Sequence, residues 1–252
     1  MRELDYDKLC SDIQSWIKQY VYSAGAKGVV VGLSGGIDSA VTAALCMNAI
    51  GKENVMGLGL PCESISEDLE DAKKIASTLD IEFKIIDLTP TFKEFMKSLE
   101  IFIDSNKIAI ANLKPRLRMM VLYYVGQSKG NYLVAGTGNR AELAIGYFTK
   151  YGDGGVDFEP LGLIYKNEVR KLARILKIPE KIIIKPPSPG LWPGQTDEGE
   201  IGLSYDAIDE ILFRVDNNLN LDDLNHEDVN KVLSLMKKAE HKNQIPPSYN
   251  FT

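Results

Sequence analysis

The stretch Gly32-Leu33-Ser34-Gly35-Gly36-Ile37-Asp38-Ser39 constrains this chain more than any other. An apolar run, Val29-Val30-Val31, leads into it, and a helical stretch from Ala40 to Ala49 leads out. The pattern predicts a buried strand that ends in a small-residue turn and opens a helix. The first turn of a helix has unpaired backbone N–H groups, and the helix dipole places partial positive charge there. Glycines let a ligand approach the backbone closely, and Ser34 and Ser39 add hydroxyl donors. The combination reads as an anion cradle suited to phosphate. It is not the Gly-Lys-Ser/Thr phosphate loop, for it has no lysine, and it lacks the Gly-x-Gly-x-x-Gly spacing of dinucleotide folds. Asp38 in such a cradle would repel phosphate unless it holds a magnesium ion that bridges phosphate oxygens. A capped helix start with a packing glycine pair is the plainer alternative, and the full Ser-Gly-Gly-x-Asp-Ser string speaks against it.

Strands and helices alternate along the rest of the chain. Apolar runs at Val55 to Leu60, Glu82 to Leu88 and Tyr132 to Ala135 predict three further strands. Leu9, Ile13, Trp16, Ile17 and Tyr20 share a helical face. Ser64 and Glu67 suggest a capping box for a helix through Leu79. Thr89-Pro90 opens a helix, and the helical pattern from Lys93 to Gly130 predicts a break near Lys114-Pro115. Helices are also expected at Tyr165 to Leu176, Ser204 to Val215 and His226 to Ala239, with an edge strand at Ile182 to Ile184. The fold expected is α/β, an open parallel sheet with helices on both faces. Its carboxyl edge then carries the phosphate loop together with Thr137 and Glu142, which lie just beyond the fourth strand. The segment from Lys185 to Thr196 is rich in proline and glycine and reads as a long functional loop. Trp16 and Trp192 read as packing residues, with Trp192 also placed to cover a ligand.

The net charge of −6 argues against broad nucleic-acid binding. Cys10, Cys46 and Cys62 are widely spaced and fit reduced, partly buried thiols. No signal-peptide pattern and no membrane-length apolar run is present, so a cytoplasmic protein is expected.

The loop resembles that of the ATP pyrophosphatases, which cleave ATP between the α- and β-phosphates and adenylate a carbonyl or carboxylate oxygen. Further motifs narrow the resemblance. Asn112-Leu-Lys-Pro-Arg116-Leu-Arg118-Met, Gly136-Thr-Gly-Asn-Arg-Ala-Glu142 and Phe148-Thr-Lys-Tyr-Gly-Asp-Gly-Gly-Val-Asp157 occur in that order, followed by Thr196-Asp197-Glu198 and His241-Lys242. Together they are similar to the NAD synthetase family in its ammonia-dependent form, over nearly the whole chain.

That resemblance implies a ligase that converts deamido-NAD, ATP and ammonia to NAD, AMP and pyrophosphate with magnesium, the final step of NAD biosynthesis. It implies a homodimer with the dinucleotide across the interface. It also implies one domain over 1–252 without a glutaminase domain. Residues 32–39 (Gly32, Leu33, Ser34, Gly35, Gly36, Ile37, Asp38, Ser39) match ATP-binding positions, as do Thr137, Lys166 and Ser188. Asp38 and Glu142 match magnesium ligands. Arg116, Lys150, Asp157, His241 and Lys242 match positions that contact deamido-NAD. Asp38, Glu142 and Asp157 are the candidate catalytic residues, Asp157 as a proton acceptor from ammonium.

Several of these have plainer readings. Arg116 and Arg118 can snorkel from a helix surface, with the motif favouring Arg116 as the contact. Lys166 stands at a helix start, unfavourable to the dipole. Many bacterial relatives have Asp-His-Ala where this chain has Gly138-Asn139-Arg140, which adds a positive charge near the metal ligands. Two other functions suit the fold: another ATP pyrophosphatase, such as a tRNA-modifying enzyme, and a non-catalytic nucleotide sensor. The absence of paired cysteines opposes the first, and the retention of Asp38 and Glu142 the second.

Overall fold

The computed structural model describes residues 2, 4–99, 106–188 and 194–249. Four parallel strands form one sheet in the order β3-β2-β1-β4: β1 (Gly28–Gly32), β2 (Val55–Gly59), β3 (Glu82–Ile85) and β4 (Tyr132–Ala135). β1 lies inside, with Val29 opposite Val55 on one side and Leu133 on the other. A segment beyond β4 extends this edge through a parallel bridge between Ala135 and Phe158.

Alternation of side chains along β1 divides the core between the two faces. Val29 and Val31 face helices α1 (Tyr6–Ser23), α2 (Ile37–Ile50), α3 (Ser66–Leu79), α8 (Lys166–Ile175) and α9 (Glu180–Ile183). Val30 faces the other way, toward α4 (Thr89–Ser98), α5 (Lys107–Ala111) and α6 (Leu113–Ser128). Beside the sheet, α7 (Arg140–Ile145), α11 (Tyr205–Asp216) and α12 (His226–Ala239) pack around Tyr205, Ile208 and Leu212. The short helix α10 (Asp197–Ile201) joins them, and a 3₁₀ turn, Glu240–Lys242, comes after α12. No described helix is long and apolar enough to cross a membrane.

Local chemistry explains where the structure departs from the sequence expectations. α1 starts at Asp5, whose side chain accepts from the Lys8 N–H. Its buried stripe is Cys10, Ile13, Ile17 and Val21. Trp16 and Tyr20 flank that stripe and remain 43% and 36% exposed; they stack on each other with ring centroids 5.7 Å apart and lean on Phe158.

No capping box forms at Ser64. α3 opens one turn-step later, after Ile65 without a side-chain cap, because the Ser64 hydroxyl accepts from Cys62 N and Arg118 instead. β3 stops at Ile85 rather than Leu88. The expected helix break lies before Lys114-Pro115, at Asn112. Pro115 falls in the first turn of α6, where its missing N–H costs nothing. Ile182 to Ile184 is not an edge strand. Ile182 and Ile183 belong to the short helix α9, buried against the face that holds α8. Trp192 lies outside the described residues. All three cysteines are free and buried.

Candidate nucleotide site

The turn between β1 and α2 is held from within. Ser34 N–H donates to Ser39 Oγ at 3.3 Å, the two hydroxyls lie 3.2 Å apart, and Gly36 N–H donates to Ser34 Oγ at 3.3 Å. Leu33 and Ile37 bury their side chains in the core, so they offer the cradle backbone only. Gly35 has φ +83°, and a Cβ there would overlap the Asp68 carbonyl oxygen. Glycine is therefore required by both conformation and space. Gly36 precedes α2 with no side-chain cap, so the first N–H groups of that helix face the turn.

Asp38, in the first turn of α2, joins this cradle to the end of β4. One carboxylate oxygen accepts from Asn139 Nδ2 at 2.9 Å, and the other from Lys166 Nζ at 2.6 Å. Asn139 in turn caps α7. Its Oδ1 accepts from Glu142 N at 3.1 Å, and Glu142 Oε2 accepts from Asn139 N at 3.2 Å. The capping box fixes Glu142 so that Oε1 lies 3.2 Å from Lys166 Nζ. Lys166 is 1% exposed. Burial opposes its charge, but Asp38 and Glu142 outweigh burial and hold the ammonium above its ordinary range. Burial drives the Glu142 carboxyl upward, Lys166 opposes that rise, and Asp38 adds to it.

Lys166 opens α8, where a cation opposes the helix dipole. The Asp209 carboxylate compensates by accepting from Lys166 N at 3.2 Å and Asn167 N at 2.9 Å. Burial pushes Asp209 up to about 6.

Four participants do not figure among the site residues expected from sequence: Asn139, Tyr205, Asp197 and Glu159. Tyr205 places its ring 4.8 Å from Lys166 Nζ, and its hydroxyl lies 3.4 Å from Glu142 Oε1. The same hydroxyl donates to Asp197 Oδ2 at 2.7 Å. Asp197 Oδ1 is buried with no hydrogen-bond partner among the described residues. Glu159 accepts from Gly138 N at 3.0 Å, and a Cβ on Gly136 would overlap its carboxylate. Burial, with Glu142 and Asp153 nearby, pushes Glu159 up to about 8. The sequence signals for Asn139 and Glu159 are the Asn-x-x-Glu capping pattern and the paired glycines of Gly136-Thr137-Gly138. Asp197 lies in a motif whose residues carry no assigned role. Tyr205 has no local signal.

The predicted site residues fall into two assemblies. Asp38, Glu142 and Lys166 meet directly, with Thr137 half-buried two residues before Asn139. Ser188 is exposed, on a segment pinned to α10 by the bond from Asp197 N to Pro187 O at 3.0 Å. The second assembly is Arg116, Lys150, His241 and Lys242. Arg116 donates to Lys150 O at 3.3 Å, and Lys150 Nζ donates to His241 O. Lys242 Nζ donates to Gly146 O and Phe148 O, each at 2.7 Å. Asp157 joins neither assembly. Its oxygens accept from Tyr123 OH at 3.1 Å and Val134 N at 2.7 Å. The added charge of Arg140 is matched by Asp216, which accepts from the guanidinium at 2.6 and 2.9 Å.

Magnesium prefers hard oxygen donors, and one or two carboxylates plus substrate phosphates suffice to hold it. Asp38 and Glu142, with the partnerless oxygen of Asp197 nearby, fit that requirement. No group of three or more His, Cys, Asp or Glu residues among the described ones forms a complete protein cage.

The family model for NAD synthase matches residues 9–246. The chain is 46% identical over 246 residues to the NH(3)-dependent NAD(+) synthetase of Archaeoglobus fulgidus, covering 97% of each chain. Among solved structures, NMN synthetase from Francisella tularensis is similar with a TM-score of 0.91 at 34% identity, covering 99% of this chain and 100% of that one. NH3-dependent NAD synthetase from Campylobacter jejuni is similar with a TM-score of 0.84 at 33% identity, covering 98% and 100%. With a model match over most of its length and a relative aligned almost end to end, the chain belongs to the NAD synthase family.

Proposed function

We propose that this protein amidates deamido-NAD with ammonia at the expense of ATP, releasing NAD, AMP and pyrophosphate. The observation that carries the reading is the junction of the phosphate cradle with Asp38, Glu142 and Lys166 at one sheet edge. The substrate carboxylate attacks the α-phosphorus, pyrophosphate leaves, and ammonia then displaces AMP from the adenylate. The chain needs no covalent nucleophile of its own. Positioning and electrostatics supply the acceleration.

In this reading residues 32–39 hold the ATP phosphates through backbone N–H groups and the Ser34 and Ser39 hydroxyls. Lys166, already fixed and charged, offsets negative charge that grows on the departing oxygens. Thr137 and Ser188 contact ATP. Arg116, Lys150, Asp157, His241 and Lys242 contact the dinucleotide. Asp38 and Glu142 would hold magnesium, which supplies Lewis-acid neutralisation of the phosphate oxygens. Asp157 remains the candidate to take a proton from ammonium, and full ammonia-dependent turnover by Asp157→Asn would remove that role. We assign the protein to the cytoplasm as a homodimer, each chain a single domain over 1–252 using free ammonia.

A second reading has one observation in its favour, the similarity to an NMN synthetase. The same chemistry would then act on a mononucleotide carboxylate. Pyrophosphate release from ATP, measured with deamido-NAD or nicotinate mononucleotide at fixed magnesium and ammonium, separates the two. Release that requires deamido-NAD and yields NAD supports the first reading. Release with the mononucleotide alone supports the second. ATP binding with no release in either case rejects both and returns the tRNA-modifying and sensor alternatives.

A further inference from the structure

Arginine side chains in this protein mostly meet a carboxylate. Arg2 pairs with Glu168, Arg140 with Asp216, Arg170 with Asp206, Arg174 with Glu180, and Arg214 with Glu210 and Asp223. Arg116 does not, but it is exposed to water. Arg118 differs from all of these. It projects from α6, and only part of it reaches solvent. Its Nε donates to Leu60 O at 2.9 Å and one terminal nitrogen donates to Ser64 Oγ at 3.1 Å. Both acceptors are neutral. Among the described residues no carboxylate forms an ion pair with it.

The cost of this arrangement is visible in its environment. Burial works against the charge of Arg118, and its electrostatic neighbours are the Cys62 thiol, Asp153 and Asp68. Both acids are engaged elsewhere. Asp68 pairs with Lys185 at 2.8 Å, and Asp153 accepts from Thr149 N at 2.9 Å. A guanidinium withdrawn from water without an anion is unfavourable, and such groups are retained where a ligand completes them.

The location indicates what that ligand is. Leu60 comes directly after the last residue of β2, so Arg118 is held at the carboxyl edge of the sheet. Asp68 contributes the carbonyl that closes on Gly35 of the phosphate cradle, and Asp153 belongs to the turn just beyond Lys150. We infer that Arg118 is a binding residue for a phosphate group, completed by a nucleotide lying between the cradle and the 149–155 turn. The planar fork, fixed on one side by Leu60 and Ser64, leaves its remaining N–H donors for phosphate oxygens. The phosphate belongs either to ATP or to the dinucleotide. The inference rests on the proposed reading of this edge as a nucleotide site.

Arg118→Met and Arg118→Lys test it by calorimetric binding of inorganic pyrophosphate, ATP and deamido-NAD to the full chain. Loss of tenfold or more in affinity for pyrophosphate and ATP, with deamido-NAD unchanged, assigns the phosphate to ATP. The converse assigns it to the dinucleotide. Because the substitution removes an uncompensated charge, ligand-free Arg118→Met melts within about 3 °C of the parent or above it. A structural role predicts the opposite pattern: a lower melting temperature with affinities unchanged. Should Arg118→Met not fold, Arg118→Lys keeps the charge and loses the fork, and a several-fold weaker affinity is expected. Parental affinities for all three probes in the folded variants overturn the inference. A parent protein that binds none of the probes overturns the nucleotide reading itself.

Discussion

Glu159→Gln should stabilise this protein at alkaline pH and leave it nearly unchanged at acid pH. The Glu159 carboxyl fills the space over Gly136 and accepts from Gly138 N at 3.0 Å. Burial raises it from the ordinary 4.5 to about 8, and no cation pairs with it among the described residues. The folded state therefore binds this proton more tightly than the unfolded chain. Its stabilising contribution is complete below pH 4.5, declines as pH rises, and is gone above about 8. At ~1.4 kcal/mol per pH unit, that interval sets a ceiling of roughly 5 kcal/mol. The group is half-buried rather than sealed, so solvent screening reduces the effect to about 1–3 kcal/mol. Glutamine keeps the acceptor for Gly138 N and never ionises. Urea unfolding at about pH 4 and about pH 8.5 reads the difference as a shift in midpoint at constant slope. The variant should match its parent at the lower pH and exceed it at the higher. Parallel pH profiles for the two proteins would refute the reasoning.

Other substitutions probe the same edge. Lys166→Met leaves Asp38 and Glu142 facing each other without their ammonium; the expected loss is about 3–5 kcal/mol in chemical denaturation, together with ATP-dependent pyrophosphate release. Gly35→Ala meets both a φ of +83° and the Asp68 carbonyl, so calorimetry should show ATP affinity down at least tenfold, with roughly 1–3 kcal/mol of stability lost. Asp38→Asn should weaken ATP binding in the presence of magnesium and strengthen it in a chelator, where the parent's carboxylate repels the triphosphate; an equal effect in both conditions would count against Asp38 as a metal ligand. The Cys46 thiol is fully buried and pushed up to about 12, so mass spectrometry after alkylation at pH 8 should find it unmodified until urea unfolds the chain.

The parts legible in the sequence are those whose physics is local. Val29 to Val31 read as a buried strand because a parallel strand covered on both faces is apolar along its length. The cradle is legible because its conformation admits small residues and little else. Ile182 to Ile184 is not, since an apolar run of that length suits a buried strand or a turn of helix equally. The face of α1 slips because Trp16 and Tyr20 are apolar enough to read as core, yet their rings stack on each other and lean on Phe158 at the edge of the core. Ser64 could cap a helix or close a turn, and the guanidinium of Arg118, distant in sequence, decides it. Asn139 needs only its Asn-x-x-Glu spacing to be recognised as a cap, but its bond to Asp38 crosses 101 residues. Tyr205 and Asp197 enter the site only after α10 and α11 have packed beside α7, which no window of sequence displays.

The same edge explains why so much hydrogen bonding is devoted to so few acids. Asp38, Glu142, Asp197 and Glu159 are each oriented by a directional donor: Asn139 Nδ2, Asn139 N, Tyr205 OH and Gly138 N respectively. Lys166 compensates the first two, and burial drives the last three toward their neutral forms. A fold selected for stability alone would replace such groups with apolar ones of similar volume. Across the same edge Arg118 has the reverse deficit, a cation with no acid. Acids short of cations on one wall and a cation short of anions on another do not neutralise each other, because the packing of β2, α6 and α7 holds them apart. Both deficits would be met by a polyphosphate accompanied by a divalent cation, the phosphates turned to Arg118 and the cradle, the metal to Asp38 and Glu142. Under the proposed function, the energy these uncompensated groups cost would be recovered on binding, when the transferring phosphate must be held in line.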